Sequence, residues 1–207
     1  MELHGMISQS RVNGPGSRAV IWFQGCSLAC PGCWNPLTHA IGIHRQKSVK
    51  EVCDWILSCV GIEGVTFSGG EPFQQAEDLL EICEFVKAKR ADLSLGVFSG
   101  YSQEELIRGR WHYRREDRSD IPGSPQLFQR ITALLDFAIL GRFAKSKLSH
   151  TKPLCGSANQ QIIFFSDRYS ATDLPRQACE ILVSLDGDDM TLTGFPSPRL
   201  IQSLQSR

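Results

Sequence analysis

Three cysteines stand within eight residues in Gly25-Cys26-Ser27-Leu28-Ala29-Cys30-Pro31-Gly32-Cys33-Trp34-Asn35, at the spacing C-x3-C-x2-C. Clustered thiolates bind metal, and their number limits which metal. A closed structural zinc site takes four ligands, and an ordinary electron-transfer iron–sulfur cluster takes four cysteines. Three on a cubane leave one iron open to a ligand that is not protein. The other composition of this stretch is a zinc knot completed by His39 or His44. The remaining cysteines (Cys53, Cys59, Cys83, Cys155 and Cys179) are scattered or fall on helical faces, and they read as core thiols.

The neighbouring elements put the cysteines on a loop. Ala19-Val20-Ile21-Trp22-Phe23 reads as a buried strand, and Gly25, Pro31 and Gly32 keep the cysteines from continuing it. Ser48 with Glu51 predicts a capping box, opening a helix with Val52, Cys53, Ile56, Leu57 and Val60 inward. Gly64-Val65-Thr66-Phe67 is a short strand ending in Ser68-Gly69-Gly70-Glu71-Pro72. Its glycines permit close approach to the main chain and Glu71 adds an acceptor, although any α/β protein needs a tight turn there. Residues 76–89 read as an amphipathic helix and 93–98 as a strand ending in Ser99-Gly100-Tyr101, whose small polar pair suits a ribose hydroxyl. Further strands are expected at 134–140 and 162–165. Two short β segments, 181–184 and 190–193, flank the turn Asp186-Gly187-Asp188-Asp189. Residues 1–17 lead in with Asn13-Gly14-Pro15-Gly16-Ser17-Arg18, a turn-rich stretch before the first strand.

Composition excludes several classes. The chain has 207 residues, 42% of them hydrophobic and 21% charged, which suits one globular domain with a small appendage. Lys plus Arg equals Asp plus Glu at 22 each, so no global field steers it to nucleic acid or to an anionic membrane. No apolar run reaches membrane-span length, and Met1-Glu2-Leu3-His4-Gly5 lacks a signal-peptide core, so a cytoplasmic location with reduced thiols is expected.

C-x3-C-x2-C after a strand, followed one βα unit later by Gly69-Gly70-Glu71-Pro72, resembles the radical S-adenosylmethionine superfamily. Within it, the chain is similar to the activating protein of anaerobic (class III) ribonucleoside-triphosphate reductase. The shared pieces are N-G-P-G-x-R from Asn13, G-C-x3-C-P-G-C-x-N from Gly25, S-G-G-E-P from Ser68, S-G-Y from Ser99, D-x4-G-x-F from Asp136 and G-S-x-N-Q from Gly156. Leu140 stands where that family has an acidic residue, Cys155 where it has arginine, and Ser99 where it has threonine. The resemblance implies an α/β fold, an incomplete β/α barrel over 1–165 with an insertion at 108–127. A small C-terminal β extension over 166–207 would pack on it.

It also implies a [4Fe–4S] cluster on Cys26, Cys30 and Cys33 with S-adenosylmethionine on the open iron. Gly69, Gly70 and Glu71 would hold the methionine moiety, Gly32 and Trp34 would line the adenine, and Ser99 would meet the ribose. Reductive cleavage then gives a 5′-deoxyadenosyl radical, and in the activases this radical takes a hydrogen atom from a glycine of the partner reductase. No side chain need act as acid or base, and a flavodoxin- or ferredoxin-type donor supplies the electron. A radical enzyme acting on a peptide or small molecule, and a non-enzymatic metal-binding or redox module, are the competing readings. The stretch 108–127 interleaves Trp111 and Tyr113 with arginines, but Glu116, Asp117 and Asp120 dilute its charge. It therefore reads as a solvated loop that docks a protein partner, in preference to a nucleic-acid site.

Overall fold

The computed structural model describes residues 1–42, 45–114, 119–176, 179–183 and 190–195. In chain order the elements are β1 (Glu2–Ser10), β2 (Arg18–Phe23), β3 (Arg45–Gln46), α1 (Val49–Ser58), β4 (Gly64–Gly69), α2 (Ala76–Lys89), β5 (Ser94–Ser99) and α3 (Gln103–Ile107). They continue with β6 (His112–Arg114), β7 (Asp120–Pro122), α4 (Pro125–Thr132), β8 (Phe137–Leu140), β9 (Gln161–Phe164), β10 (Cys179–Val183) and β11 (Met190–Gly194).

Seven strands form one open mixed sheet in the order β3-β1-β2-β4-β5-β8-β9. The strands β2, β4, β5 and β8 are parallel, while β1 and β3 on one side and β9 on the other add antiparallel edges. Parallel neighbours need long crossovers. The helices supply them, with α1 packed on α2, α2 on α4 and α4 on α3. Ala19, Ile21, Phe23, Val65, Phe67, Leu95 and Val97 fill the core with these helices. On β8 the alternation sends Phe137 and Ile139 into a second core with Leu154, Cys155 and Tyr169.

The helix starts are local chemistry. Ser48 accepts from the Glu51 N–H while the Glu51 carboxylate accepts from the Ser48 N–H, the expected capping box. Ser48→Ala is expected to cost about 1 kcal/mol in chemical denaturation, since this cap is exposed and replaceable in part by water. The same box recurs at Ser102 and Glu105. Val60, expected inward, lies past the helix end and is 86% exposed.

Two expectations are corrected. Residues 2–10, where the sequence suggested no strand, form β1, while the turn-rich stretch after them is a run of bends before β2. Part of the 108–127 stretch is ordered as the β6–β7 pair and the start of α4; residues 115–118, with Glu116 and Asp117, lie outside the described residues. Trp111 and Tyr113 are buried, at 4% and 7% exposure, so they cannot serve as exposed docking aromatics. Trp111 packs edge-on against Phe73 at 5.7 Å between ring centroids, and Phe73 meets Phe128 of α4 at 5.8 Å.

Arg18 ties the sheet to the N-G-P-G loop. Fully buried, it spends all five N–H donors on Thr66 Oγ1 (2.6 Å), Ser94 Oγ (2.7 Å) and the carbonyls of Pro15, Val65 and Ser94. Thr66 in turn donates to the Asn13 carbonyl. Burial lowers the Arg18 pKa to about 10, still charged at neutral pH.

Candidate functional site

The cysteine loop leaves the carboxyl end of β2, where β4 and β5 also end. Cys30-Pro31-Gly32-Cys33 closes as a tight turn, with the Cys33 N–H on the Cys30 carbonyl at 3.0 Å. Proline fixes the first corner and Gly32, at φ +74°, takes the second, which side chains resist. All three cysteines are half-buried, free thiols. Burial, and after it the Glu71 carboxylate, push the Cys26 thiol up to about 11; burial also raises Cys33. Binding of iron to these sulfurs therefore expels protons.

The S-G-G-E-P stretch braces this loop from below. A Cβ on Gly69 would lie 2.7 Å from the Phe23 main chain, and one on Gly70 would collide with the Gly25 carbonyl. The glycines thus admit the base of the cysteine loop, held by Gly70 N–H to Phe23 O and Glu71 N–H to Gly25 O. The Glu71 side chain is fully buried. Its carboxylate accepts from the Phe73 N–H (3.0 Å), Ser99 Oγ (2.8 Å) and the Gly100 N–H (2.7 Å). Despite these donors, burial raises its pKa to about 7. Ser99 Oγ also accepts from the Tyr101 N–H, so its hydroxyl is engaged on both sides.

Sequence reasoning missed a second brace. Gln74, fully buried, accepts from the Ser27 N–H and donates to Ser27 Oγ (2.6 Å) and to Tyr101 Oη (3.1 Å). His112 Nε2 of β6 lies 3.2 Å from Ser27 Oγ, so the 108–127 stretch reaches the cysteine loop. No local pattern marks Gln74, because its partners Ser27 and Tyr101 lie 47 and 27 residues away in the chain.

A cavity of about 710 Å³ opens beside the loop. Cys33, Trp34, Trp22, Ser68 and Phe98 line it, and no Asp, Glu, Lys or Arg is among its described lining residues. Of the residues expected to touch a cofactor, Trp34 lies on this wall, while Gly32, Gly69, Gly70, Glu71 and Ser99 lie outside the lining. The volume suits a ligand of nucleoside size. Trp34 is set edge-on against Phe143, 6.2 Å between centroids. G-S-x-N-Q holds Phe143 there: Asn159 Nδ2 donates to the Arg142 carbonyl, Gln160 Nε2 to the Gly141 carbonyl, and Ser157 Oγ accepts from the Ala144 N–H. Leu140 and Cys155, which depart from the family pattern, are both buried in the cores.

The donor set fits an iron–sulfur cluster better than a single ion. Among the described residues no three His, Cys, Asp or Glu side chains converge on one metal position. His39 offers its main-chain carbonyl to the Cys26 N–H, and His44 lies outside the described residues. Three free, half-buried thiols on one loop are the donor chemistry of an iron–sulfur cluster with one iron left to a non-protein ligand. Also among the described residues, no helix is long and apolar enough to cross a membrane.

Comparison with known proteins agrees with this chemistry. The 4Fe-4S single cluster domain family matches residues 12–163, most of the chain. The anaerobic ribonucleoside-triphosphate reductase-activating protein of Escherichia coli K12 is 30% identical over 113 residues, covering 51% of this chain and 73% of that protein. The pyruvate formate-lyase-activating enzyme of Listeria monocytogenes serovar 1/2a is 36% identical over 91 residues, 42% of this chain and 37% of that enzyme. That of Clostridium pasteurianum is 32% identical over 114 residues, covering 51% and 48%. The chain thus spans well under half the length of the Listeria enzyme it matches. With the cysteine loop, its brace and these matches together, the chain belongs to the 4Fe-4S single cluster domain family and, with its activating relatives, to the radical S-adenosylmethionine superfamily.

Proposed function

We propose that the chain is an activating enzyme that removes a hydrogen atom from a glycine Cα of a glycyl-radical protein, an anaerobic ribonucleotide reductase first among candidates. The observation that carries this reading is the placing of Cys33 and Trp34 on the wall of a cavity with no Asp, Glu, Lys or Arg among its described lining residues. Cys26, Cys30 and Cys33 would hold a [4Fe–4S] cluster, and S-adenosylmethionine would take the ligand position that three cysteines leave open. When bound, the pair supplies one-electron reductive cleavage of a sulfonium C–S bond. The chain orients the cofactor and keeps water away. Trp34 and Gly32 would lie beside the adenine, and the strand ends carrying Gly69, Gly70, Glu71 and Ser99 would adjoin the methionine and ribose moieties, with the Glu71 and Ser99 side chains, already bonded to each other, bracing the main chain there. The open sheet is read as the incomplete barrel of this superfamily, with residues 1–165 as its body and 166–207 as an extension.

Basic side chains near the loop support an acidic electron carrier of flavodoxin or ferredoxin type. Arg114 approaches Gly25, and Lys145 packs over Gly32. A second reading, a radical enzyme acting on another peptide, draws on Leu140 and Cys155, which replace charged family residues with buried uncharged ones.

The test is anaerobic reconstitution followed by electron paramagnetic resonance of the reduced cluster. Addition of S-adenosylmethionine is expected to change the spectrum and to yield 5′-deoxyadenosine and methionine. Mixing with an anaerobic reductase is expected to produce a protein-based glycyl doublet. An unchanged cluster spectrum defeats the whole reading, and cleavage without any doublet on reductase moves it to the second substrate class.

A further inference from the structure

The C-terminal hairpin lies beyond the family match, which ends at residue 163, yet it reaches the site. Among the described residues the strands β10 and β11 pair only with each other, as a sheet separate from the seven-stranded one. Thr191, Leu192, Thr193, Gly194 and Phe195 nevertheless line the cavity together with Cys33 and Trp34. Three successive residues bring three different features to it. Thr193 Oγ1 donates to Asn13 Oδ1 at 2.9 Å in a buried contact. Gly194, at φ +90°, presents bare main chain. Phe195 sets its ring edge-on to Trp34, 5.8 Å between centroids, one residue from Cys33.

The receiving groups have holds of their own apart from the hairpin. Asn13 Oδ1 is also held by Ser10 Oγ at 2.7 Å, and the Asn13 main chain is held by Thr66. Trp34 is backed by Phe143. An acceptor, a left-handed main-chain position that favours glycine and an aromatic face, in fixed order, form a reading frame for an extended peptide. Side chains, and no shared strand ladder with the main sheet, hold β11 in that frame. An isolated two-stranded hairpin is marginal by itself, so a competing strand can displace it.

We propose that β11 occupies in cis the docking site of a partner's extended segment, a site that reads a hydroxyl residue, a glycine and an aromatic residue in succession. The purpose, holding a glycine Cα beside the cysteine loop, rests on the activase reading. The hairpin is then a tethered competitor. A tethered segment acts at an effective concentration of order millimolar, so only a partner binding through more than this segment displaces it.

The test uses the full chain free of iron and S-adenosylmethionine, with a fluorescent peptide Met-Thr-Leu-Thr-Gly-Phe, the sequence of residues 190–195. By fluorescence anisotropy, the double variant T193V/F195A is expected to bind the peptide at least about tenfold more tightly than the wild-type chain, because the competitor has lost its hold. The near-isosteric Thr193→Val alone is expected to give a smaller gain, and it keeps the test sound should the double variant misfold. The same peptide with valine in place of glycine is expected not to bind. No gain in either variant, or equal binding of the valine peptide, overturns the docking site. Such a result would leave the activase reading standing, since the assay contains none of its cofactors; failure of cofactor cleavage leaves the peptide result intact.

Discussion

Cys30→Ala, reconstituted anaerobically, is expected to retain almost none of the iron and sulfide that the wild-type chain takes up, and Cys26→Ala and Cys33→Ala are expected to behave alike. Loss of an outer hydrogen-bonding partner alone costs about 10–100-fold in metal affinity, and loss of one of three ligands exceeds that. No spare thiol stands by among the described cysteines. Cys53, Cys59 and Cys83 are buried in the helix-side core and Cys155 in the second core. Burial pushes the Cys53 and Cys155 thiols up to about 11 and Cys83 higher still, so each is held as a neutral thiol. Their alanine variants are expected to keep full iron. Cys83→Ala, in a fully buried position on α2, is expected to lose stability but not cluster. Iron and sulfide assays on the set decide the matter. If Cys155→Ala lost the cluster as completely as Cys30→Ala, the three-ligand site would be wrong.

The chemistry was legible in the sequence because it depends on short, contiguous spacing. Three cysteines in eight residues need no tertiary information to converge, and Ser48 with Glu51 closes its box within one turn. The limits of α2 follow from its own apolar pattern. What escaped depended on partners distant in the chain. β1 alternates poorly because it lies near the sheet edge, and its middle residues are half-exposed. Trp111 and Tyr113 sit among arginines in sequence, yet their partners are Phe73 and each other, brought close only when β6 folds over the turn after β4. Gly69 and Gly70 mark close approach of main chain, of Phe23 at the end of β2 to Gly69 and of Gly25 at the base of the cysteine loop to Gly70. Arg18 is a charged residue inside a buried strand. Its five acceptors come from three separate stretches that no local pattern links.

Glu71→Ala is expected to keep the cluster and destabilise the fold, by an amount that depends on pH in a definite direction. The alanine leaves the Phe73 N–H, the Gly100 N–H and the Ser99 hydroxyl without their acceptor in a buried place. Each such group costs about 1–3 kcal/mol, and because the Ser99 hydroxyl can turn to another acceptor the loss expected at pH 5 is near the lower end for three groups, about 3–5 kcal/mol, a large part of a typical total of about 5–15. The charge works against the bonds. Burial raises the folded-state pKa from the ordinary 4.5 to about 7, so between these values the folded chain holds a proton that the unfolded chain has released. By linkage, wild-type stability therefore falls as pH rises through this window and levels off above about 7. The fall attributable to this carboxyl is on the order of 3 kcal/mol. The penalty of Glu71→Ala should accordingly shrink between pH 5 and pH 8. Glu71→Gln cannot titrate; it should flatten the same slope while keeping an oxygen for Ser99 and Phe73. Other shifted carboxyls act outside the window: Glu105 and Asp136 are lowered, so their contributions are lost only in stronger acid. Guanidinium denaturation of the cluster-free chain at pH 5 and pH 8 measures the difference, and equal penalties at the two values would show that Glu71 enters the fold already ionised.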